Sequence, residues 1–437
     1  MRRSKFSHRR LLLSIGTIGI CTVPLLWPTV LSVEGHGTFE KTAAITELWA
    51  KVKFLKPVER PEQELSSVIA FKQRLLAEGR DLGMHGVYIE SLNEREPLVA
   101  FNEDCLFNPA SIMKLVTSIT ALDKLGADYR FRTEFIANGV VNQKTGELIG
   151  DMVVISGGDP TFSIADANNA GQTLRKLGIK KIKGNFVVIG NFSCNENSQT
   201  DISAGVLRRN LGLSIQGETK FESTLPGDQM GTKLFDIESD SLLRILQEQN
   251  AHSINAVAEA VGNAVGGASA TRTFLIDRIG LKEEEVFITR TSGLEANRLT
   301  AQGTAKMLRG IVEWLKANNY KPEDLMPIAG VDPSTVGGRF TEAGFAGSVI
   351  AKTGTLHETD NGAANLAGIA YTKDKGPVLF VIYDMAEGRN VIHLRGVQDE
   401  FLKNLINEFG GPAPIAPRAV PQLAQLAPGK VILNEGN

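Results

Sequence analysis

The chain has 437 residues, 42% of them hydrophobic and 22% charged, with a formal net charge of −2. That length allows two or three folded domains. Basic residues are spread along it and only 6% are aromatic, so it has neither the charge footprint nor the stacking platform of a nucleic-acid binder. Three Cys and six His, with no H-E-x-x-H, argue against a structural or catalytic zinc.

The N-terminus reads as an export element. MRRSKFSHRR carries five Arg and Lys and no acid, and Leu11 to Val33 is an uncharged run of 23 residues. The run is long enough to span a bilayer, although Pro24 and Pro28 interrupt it as a regular helix. Residues 1–45 are therefore expected to be an export signal or membrane anchor. They would place the remainder in the periplasm or on the outer face of the cytoplasmic membrane. Arg9-Arg10 hints at twin-arginine export, and Ile20 before Cys21 is too large for a lipoprotein site. Beyond the membrane, Cys105 and Cys194 could pair, but spacing alone does not decide it.

The next elements follow from periodicity. ELSSVIAFKQRLLAEG is an amphipathic helix ending at glycine. HGVYIES and PLVAF read as strands joined by LNERE. NPASIMKLVTS then opens a helix with Asn108 as cap, Pro109 in the first turn and Gly126 as stop. From about Arg130 the texture changes. FRTEFIANGVV and LIGDMVVIS are hairpin strands, ADANNAGQTLRKLG is a helix, and KIKGNFVVIGNF is a strand. Residues 201–236 are polar with little period. We expect 130–236 to be an inserted α/β domain. SDSLLRILQEQNAHSINAVAEAVGNAVGG is helical again. AGSVIAKTGT, AANLAGIAYT and GPVLFVIYDM are successive strands, and IHLRGVQDEFLKNLINEF is a closing helix. The Pro-rich tail 410–437 is expected to be disordered. Residues 46–129 and 237–409 then form one discontinuous domain around the insertion.

Ser111 and Lys114 lie three apart on one helix face, among Ile112, Met113, Leu115 and Val116. A hydroxyl needs a base before it can attack, and a desolvated lysine can lose its proton and act as one. S-x-x-K alone is weak, but two further elements follow in order. Of three S-x-N matches, Ser91-Leu92-Asn93 precedes Ser111 and Ser193-Cys194-Asn195 sits in a polar loop. Only Ser253-Ile254-Asn255 enters a helix. Of two K-T-G matches, Lys144-Thr145-Gly146 is a hairpin turn. Lys352-Thr353-Gly354, followed by Thr355, ends an apolar strand. Ser253 would relay a proton to a leaving amine, with its hydroxyl close to Lys114. Asn255 would grip a substrate peptide bond. Lys352 would supply positive charge for a carboxylate, with the Thr353 and Thr355 hydroxyls as neutral donors. Gly354 would let backbone approach closely, and the N–H groups of Ser111 and Thr355 would receive an oxyanion.

This ordered set resembles the penicillin-binding proteins of the D-Ala-D-Ala carboxypeptidase/endopeptidase type, the class C type-4 branch. GGDPTFS with LRKLGIKKIKGNFVVIG, TSGLEANRLT, and PIAGVDPSTVGGRF before AKTGTL resemble further stretches of that family, from about Arg60 to Gly410. The resemblance implies a multi-domain α+β chain of the penicillin-binding/β-lactamase-like transpeptidase fold, an antiparallel sheet flanked by helices with an inserted α/β domain. It implies a serine carboxypeptidase or endopeptidase acting on peptidoglycan peptides, acylated by β-lactams on Ser111, with catalytic Ser111, Lys114 and Ser253, substrate-binding Asn255, Lys352, Thr353, Gly354 and Thr355, and no metal or organic cofactor.

The chain departs from the family pattern in three places. Ile254 stands where the family often has Asp, and Arg290-Thr291 where it tends to have Asp-Gly. Ser111 and Ser253 are 142 positions apart (253 − 111), a shorter insertion than usual. Two rivals remain: a serine β-lactamase, and a catalytically weak peptidoglycan-binding protein. No E-x-x-L-N or Y-x-N motif supports the first. Ile254 and Arg290-Thr291 favour the second. Of the remaining candidates, Glu259 reads first as a structural helix residue and Asp159 as a turn former. Arg339 is as readily a surface residue as a carboxylate contact. His357 and Asn361 could line the cleft.

Overall fold

The computed structural model describes residues 64–222, 231–416 and 426–434. The expected export or anchor segment lies outside them. No helix among the described residues is long and apolar enough to cross a membrane.

Helix α1 (Ser66–Ala77) leads to strands β1 (His85–Ser91) and β2 (Pro97–Phe101). Helix α2 (Met113–Leu125) follows, and after the insertion come α3 (Leu242–His252), α4 (Asn255–Ala264) and α5 (Ala301–Ala317). Strands β3 (Val349–Leu356), β4 (Ala363–Thr372) and β5 (Gly376–Met385) and helix α6 (Val391–Glu408) complete this part. The five strands make one antiparallel sheet in the order β3-β4-β5-β1-β2.

The near-continuous apolar runs of β4 and β5 show that both faces of the sheet are covered. On one face Val87, Ile89, Ala351, Phe380 and Ile382 pack with Phe71 and Leu75 of α1 and Leu394, Phe401 and Leu405 of α6. The Phe71 and Phe401 rings stack with centroids 4.6 Å apart. The other face receives α5, whose Thr304 hydroxyl lies 2.6 Å from the Tyr383 hydroxyl.

Helix α2 lies at the centre of the helical layer, with every residue from Met113 to Leu122 buried. Its buried hydroxyls are satisfied by carbonyls: Ser118 Oγ donates to Lys114 O (2.7 Å) and Thr120 Oγ1 to Val116 O (2.8 Å). That is how a helix with Ser and Thr on it can be enclosed on all sides.

The insertion is a second sheet. A long hairpin, Arg132–Asn142 with Glu147–Ser156, is extended in parallel by Phe186–Ile189 and Thr219–Glu222, and antiparallel by Thr232–Glu238. Helices Ile164–Lys176 and Thr200–Asn210 cover one face, burying Phe135, Phe186, Phe235, Leu174 and Leu207. Two expectations need correction. The polar stretch after Asp201 holds a helix and strands. The tail is not wholly unstructured: Ala413 and Ile415 donate to Tyr371 O (2.9 Å) and Gly347 O (3.0 Å), and Lys430–Leu433 pairs with the insertion, Phe235 against Leu433. The pairing of the cysteines, which the sequence leaves open, is not made: Cys105 is exposed, Cys194 is buried, and both are free thiols.

Candidate active site

The segment Asn108–Ser111 departs from the simple capped helix that the sequence suggests. The α-helix begins at Met113, and Ser111 sits in a 3₁₀ turn, Ala110–Ile112. Ala110 has φ +48°, a conformation an L-residue holds only when its surroundings dictate it. They do so through Asn108, whose Oδ1 accepts from Ala110 N at 3.0 Å. Its amide donates to Glu295 O (2.9 Å) and Asp360 Oδ2 (2.6 Å), and its carbonyl accepts from Asn365 Nδ2 (2.8 Å). Two glycines let backbone close in. A Cβ on Gly354 would stand 2.6 Å from Pro109 O, and one on Gly293, where φ is +91°, would stand 1.9 Å from Ala110 O. Ser111 is thus presented at the cleft by a turn that four separate segments hold in place.

Lys114, one turn on, is fully buried. Its Nζ lies 2.9 Å from Ser111 Oγ, 2.6 Å from Asn255 Oδ1 and 2.6 Å from Ser292 O. Burial pushes its amine down from the ordinary lysine range to about 7, against the opposing pull of the Glu259 carboxylate.

The S-x-N segment turns between two helices. Ser253 closes α3 in a left-handed conformation (φ 59°, ψ 43°) and Asn255 opens α4. The Ser253 hydroxyl takes its hydrogen bond from Lys352 Nζ at 2.9 Å, whereas the sequence placed it by Lys114. Asn255 is exposed while its side-chain oxygen holds Lys114.

The K-T-G strand β3 is the edge of the sheet. Toward its start the edge is covered, with Ala329 N donating to Val349 O and Ala351 N to Pro327 O. By the alternation of an antiparallel ladder, the N–H groups of Thr353 and Thr355 point the same way, over the stretch that carries the motif. The side chains alternate too. Lys352 and Gly354 face Ser253 and the Ser111 turn, while Thr353 and Thr355 face α6. Thr353 Oγ1 bonds Thr335 Oγ1 (2.9 Å), and Thr355 Oγ1 accepts from Arg395 Nη2 (3.0 Å). Lys352 is fully buried and also donates to Thr353 O at 2.9 Å. Burial, and then the neighbouring Lys114, hold its amine well below the usual lysine range. The standing positive charge expected at Lys352 is therefore disfavoured by its own burial and by Lys114.

Several residues here escaped sequence reading. Ser292 acts through a backbone carbonyl and Gly293 through its lack of a Cβ. Glu259 proves to be a hub: Oε1 accepts from Ser292 N and Arg290 Nε and Oε2 from Thr291 Oγ1, each at 3.1 Å. The remaining candidates have their own settings. Arg339 is buried against Asp399 and Gln398. His357 and Asn361 are exposed on the loop after β3. Asp159 closes its own turn with Thr161 N (2.8 Å), and burial pushes its carboxyl up to about 6. Lys144–Gly146 lies in the hairpin turn of the insertion. Beside α4 a cavity of about 900 Å³ opens toward the insertion, lined by Asn255, Glu259, Arg290, Leu294, Ser156 and Asn191 among others. No cluster of three or more His, Cys, Asp or Glu able to hold a metal exists among the described residues.

A serine–lysine pair between a buried helix and an antiparallel sheet edge is an arrangement of penicillin-binding proteins, and comparison of the fold agrees. The penicillin binding protein 4 of Haemophilus influenzae superposes with a TM-score of 0.66 at 20% identity, covering 80% of this chain and all of that one. A predatory endopeptidase from Bdellovibrio bacteriovorus gives 0.66 at 20% identity, over 80% and 99% of the two chains. The chain belongs to the D-Ala-D-Ala carboxypeptidase 3 (S13) family, whose model matches residues 72–204 and 198–393. It is 28% identical over 113 residues to a D-alanyl-D-alanine carboxypeptidase of Haemophilus influenzae, and 36% identical over 78 residues to one of Actinomadura sp.. These stretches are 26% and 18% of this chain, and 22% and 14% of those relatives' lengths.

Proposed function

We propose that this protein is an exported serine D-Ala-D-Ala carboxypeptidase that cleaves the terminal peptide bond of peptidoglycan stem peptides through an acyl-enzyme on Ser111. One observation carries the proposal, the environment of Lys114. A neutral amine has two N–H bonds and one lone pair. Asn255 Oδ1 and Ser292 O, each 2.6 Å from Nζ, are pure acceptors and take the two hydrogens. The lone pair is left facing the third neighbour, the Ser111 hydroxyl at 2.9 Å. Burial brings the amine to about 7, so near neutral pH a large fraction is unprotonated and able to accept a proton.

The chemistry follows in order. Ser111 Oγ bonds to the carbonyl carbon of the penultimate residue as its proton passes to Lys114. The N–H groups of Ser111 and Thr355 stabilise the oxyanion. The C–N bond breaks, and the leaving D-Ala amine takes a proton from the Ser253 hydroxyl, which is made good by the proton Lys114 took from Ser111, so that Lys114 is neutral again and Ser253, whose oxygen accepts from Lys352, is unchanged. Water then attacks the ester carbonyl as Lys114 takes its proton, the bond to Ser111 Oγ breaks, and Lys114 hands that proton to the serine oxygen. The terminal carboxylate lies by Lys352 and Thr355. Its charge favours return of a proton to Lys352, and Arg395 behind Thr355 Oγ1 strengthens that hydroxyl as a donor. A β-lactam would enter by the same attack, with its ring amide in place of the peptide.

Mass spectrometry of a wall pentapeptide incubated with the full chain tests this. Loss of one D-Ala, abolished by Ser111→Ala, is expected. Hydrolysis that survives Ser111→Ala would refute it.

A further inference from the structure

We propose that Glu259 is a positioning residue for Lys114: it holds the 290–293 turn so that the Ser292 carbonyl meets the lysine amine, and its charge governs how readily that amine gives up its proton. The inference rests on the reading of Lys114 as the base.

The turn threads between α2 and α4. Thr291 O accepts from Thr117 Oγ1 of α2 at 2.7 Å. The Thr291 side chain lies against Gly262 of α4, where a Cβ would come within 2.3 Å of Oγ1. Gly293 lies against the Ala110–Ser111 backbone. These contacts fix the turn's depth. Glu259 adds the polar hold, since its carboxylate spans three successive residues, Arg290, Thr291 and Ser292. With Ser292 N anchored there, the next carbonyl, Ser292 O, is presented to Lys114 Nζ.

The charges around this cluster are few. Glu259 comes from α4, Arg290 and Glu295 from the turn, where they pair at 3.0 Å, and Lys352 from β3. The insertion wall facing α4 contributes Ser156, Asn191, Ser193 and Ser198, which carry no charge. Burial disfavours the charged form of Glu259, but hydrogen bonds from Ser292 and Arg290 outweigh it and keep the carboxylate ionised. A fixed anion here draws protons toward Lys114, opposing burial. The amine stays basic enough to accept a serine proton and buried enough to lose its own. Arg290 tempers that anion. The Arg290-Thr291 departure thus becomes part of the control of the base.

The test is the pH dependence of Ser111 acylation by a fluorescent penicillin, measured on the full chain. In Glu259→Gln the ascending limb should move to lower pH by about half a unit or more. In Arg290→Gln it should move to higher pH. Glu259→Asp keeps the charge on a shorter arm, so the limb should stay in place while the plateau rate falls. Opposite shifts support the proposal, and a purely structural role would not produce them. Limbs that coincide with wild type while the rates fall would overturn it. If Glu259→Gln does not fold, Arg290→Gln decides alone, an upward shift supporting and an unmoved limb overturning. Wild-type chain that never acylates at Ser111 would instead refute the underlying peptidase reading.

Discussion

Gly293→Ala is a one-carbon change that probes the site from behind. At φ +91° the backbone there disfavours any L side chain, a strain of about 1–2 kcal/mol. The new Cβ would stand 1.9 Å from Ala110 O, 2.5 Å from Ala110 C and 3.0 Å from Ser111 N. A carbon needs more than 3 Å from that oxygen, so the turn or the Ser111 segment must yield by more than about an ångström. Overpacking of this kind costs a further 1–3 kcal/mol or so. Either way of yielding separates groups that must stay aligned. If the 110–111 backbone moves, Ser111 leaves Lys114; if the turn moves, Ser292 O does. A misplacement of about 1 Å can cost on the order of 100-fold in rate. Stopped-flow acylation by a fluorescent penicillin, with thermal unfolding measured alongside, reads both effects. A folded variant that acylates within about threefold of wild type would refute the claim that this close approach aims the pair.

Other positions give sharper contrasts. Asn365→Leu leaves Asn108 O and Asp384 N without the partners they have at 2.8 and 3.2 Å; about 2–4 kcal/mol of stability should go, with slower acylation in the folded fraction. Lys352→Met replaces a buried amine with an apolar chain of similar length, so turnover should fall about 100-fold or more while thermal stability holds or rises. The unfolded chain binds a proton that the buried amine resists, so the gain in stability should grow as pH falls; a variant both inactive and strongly destabilised would contradict this. Val431→Asp puts a charge where the C-terminal strand packs on the insertion core. It should lower stability by about 1–3 kcal/mol and leave the acylation rate of folded protein unchanged.

What could be read from the chain was whatever the side chains declare by type and spacing. Ser111 and Lys114 share a helix face whether the α-helix begins at Pro109 or at Met113. Ser253, Asn255 and Lys352–Thr355 stand out because a turn into a helix and an apolar strand are local patterns. The groups that aim them are less visible. Ser292 contributes a carbonyl, which every residue has, and its importance comes only from the packing of Gly293 on Ala110. Asn365 lies in an apolar strand run and works by holding Asn108, 257 positions away. Thr355 reads as a free hydroxyl until α6 brings Arg395 behind it. The tail misled because its prolines mask a short strand, KVIL, whose partner is the distant strand Thr232–Glu238. Helix α5, Ala301–Ala317, has a regular period but no cap or stop as distinctive as the TSGLEANRLT stretch directly before it.

The central claim is that an uncharged Lys114 takes the proton of Ser111. The rate of Ser111 acylation by penicillin in the wild-type chain, followed across pH, tests it most directly. The account predicts a rate that climbs through a midpoint near 7 and then levels, since burial places the amine there. A rate flat across that range, or one still climbing toward the ordinary lysine value of 10.5, would contradict it.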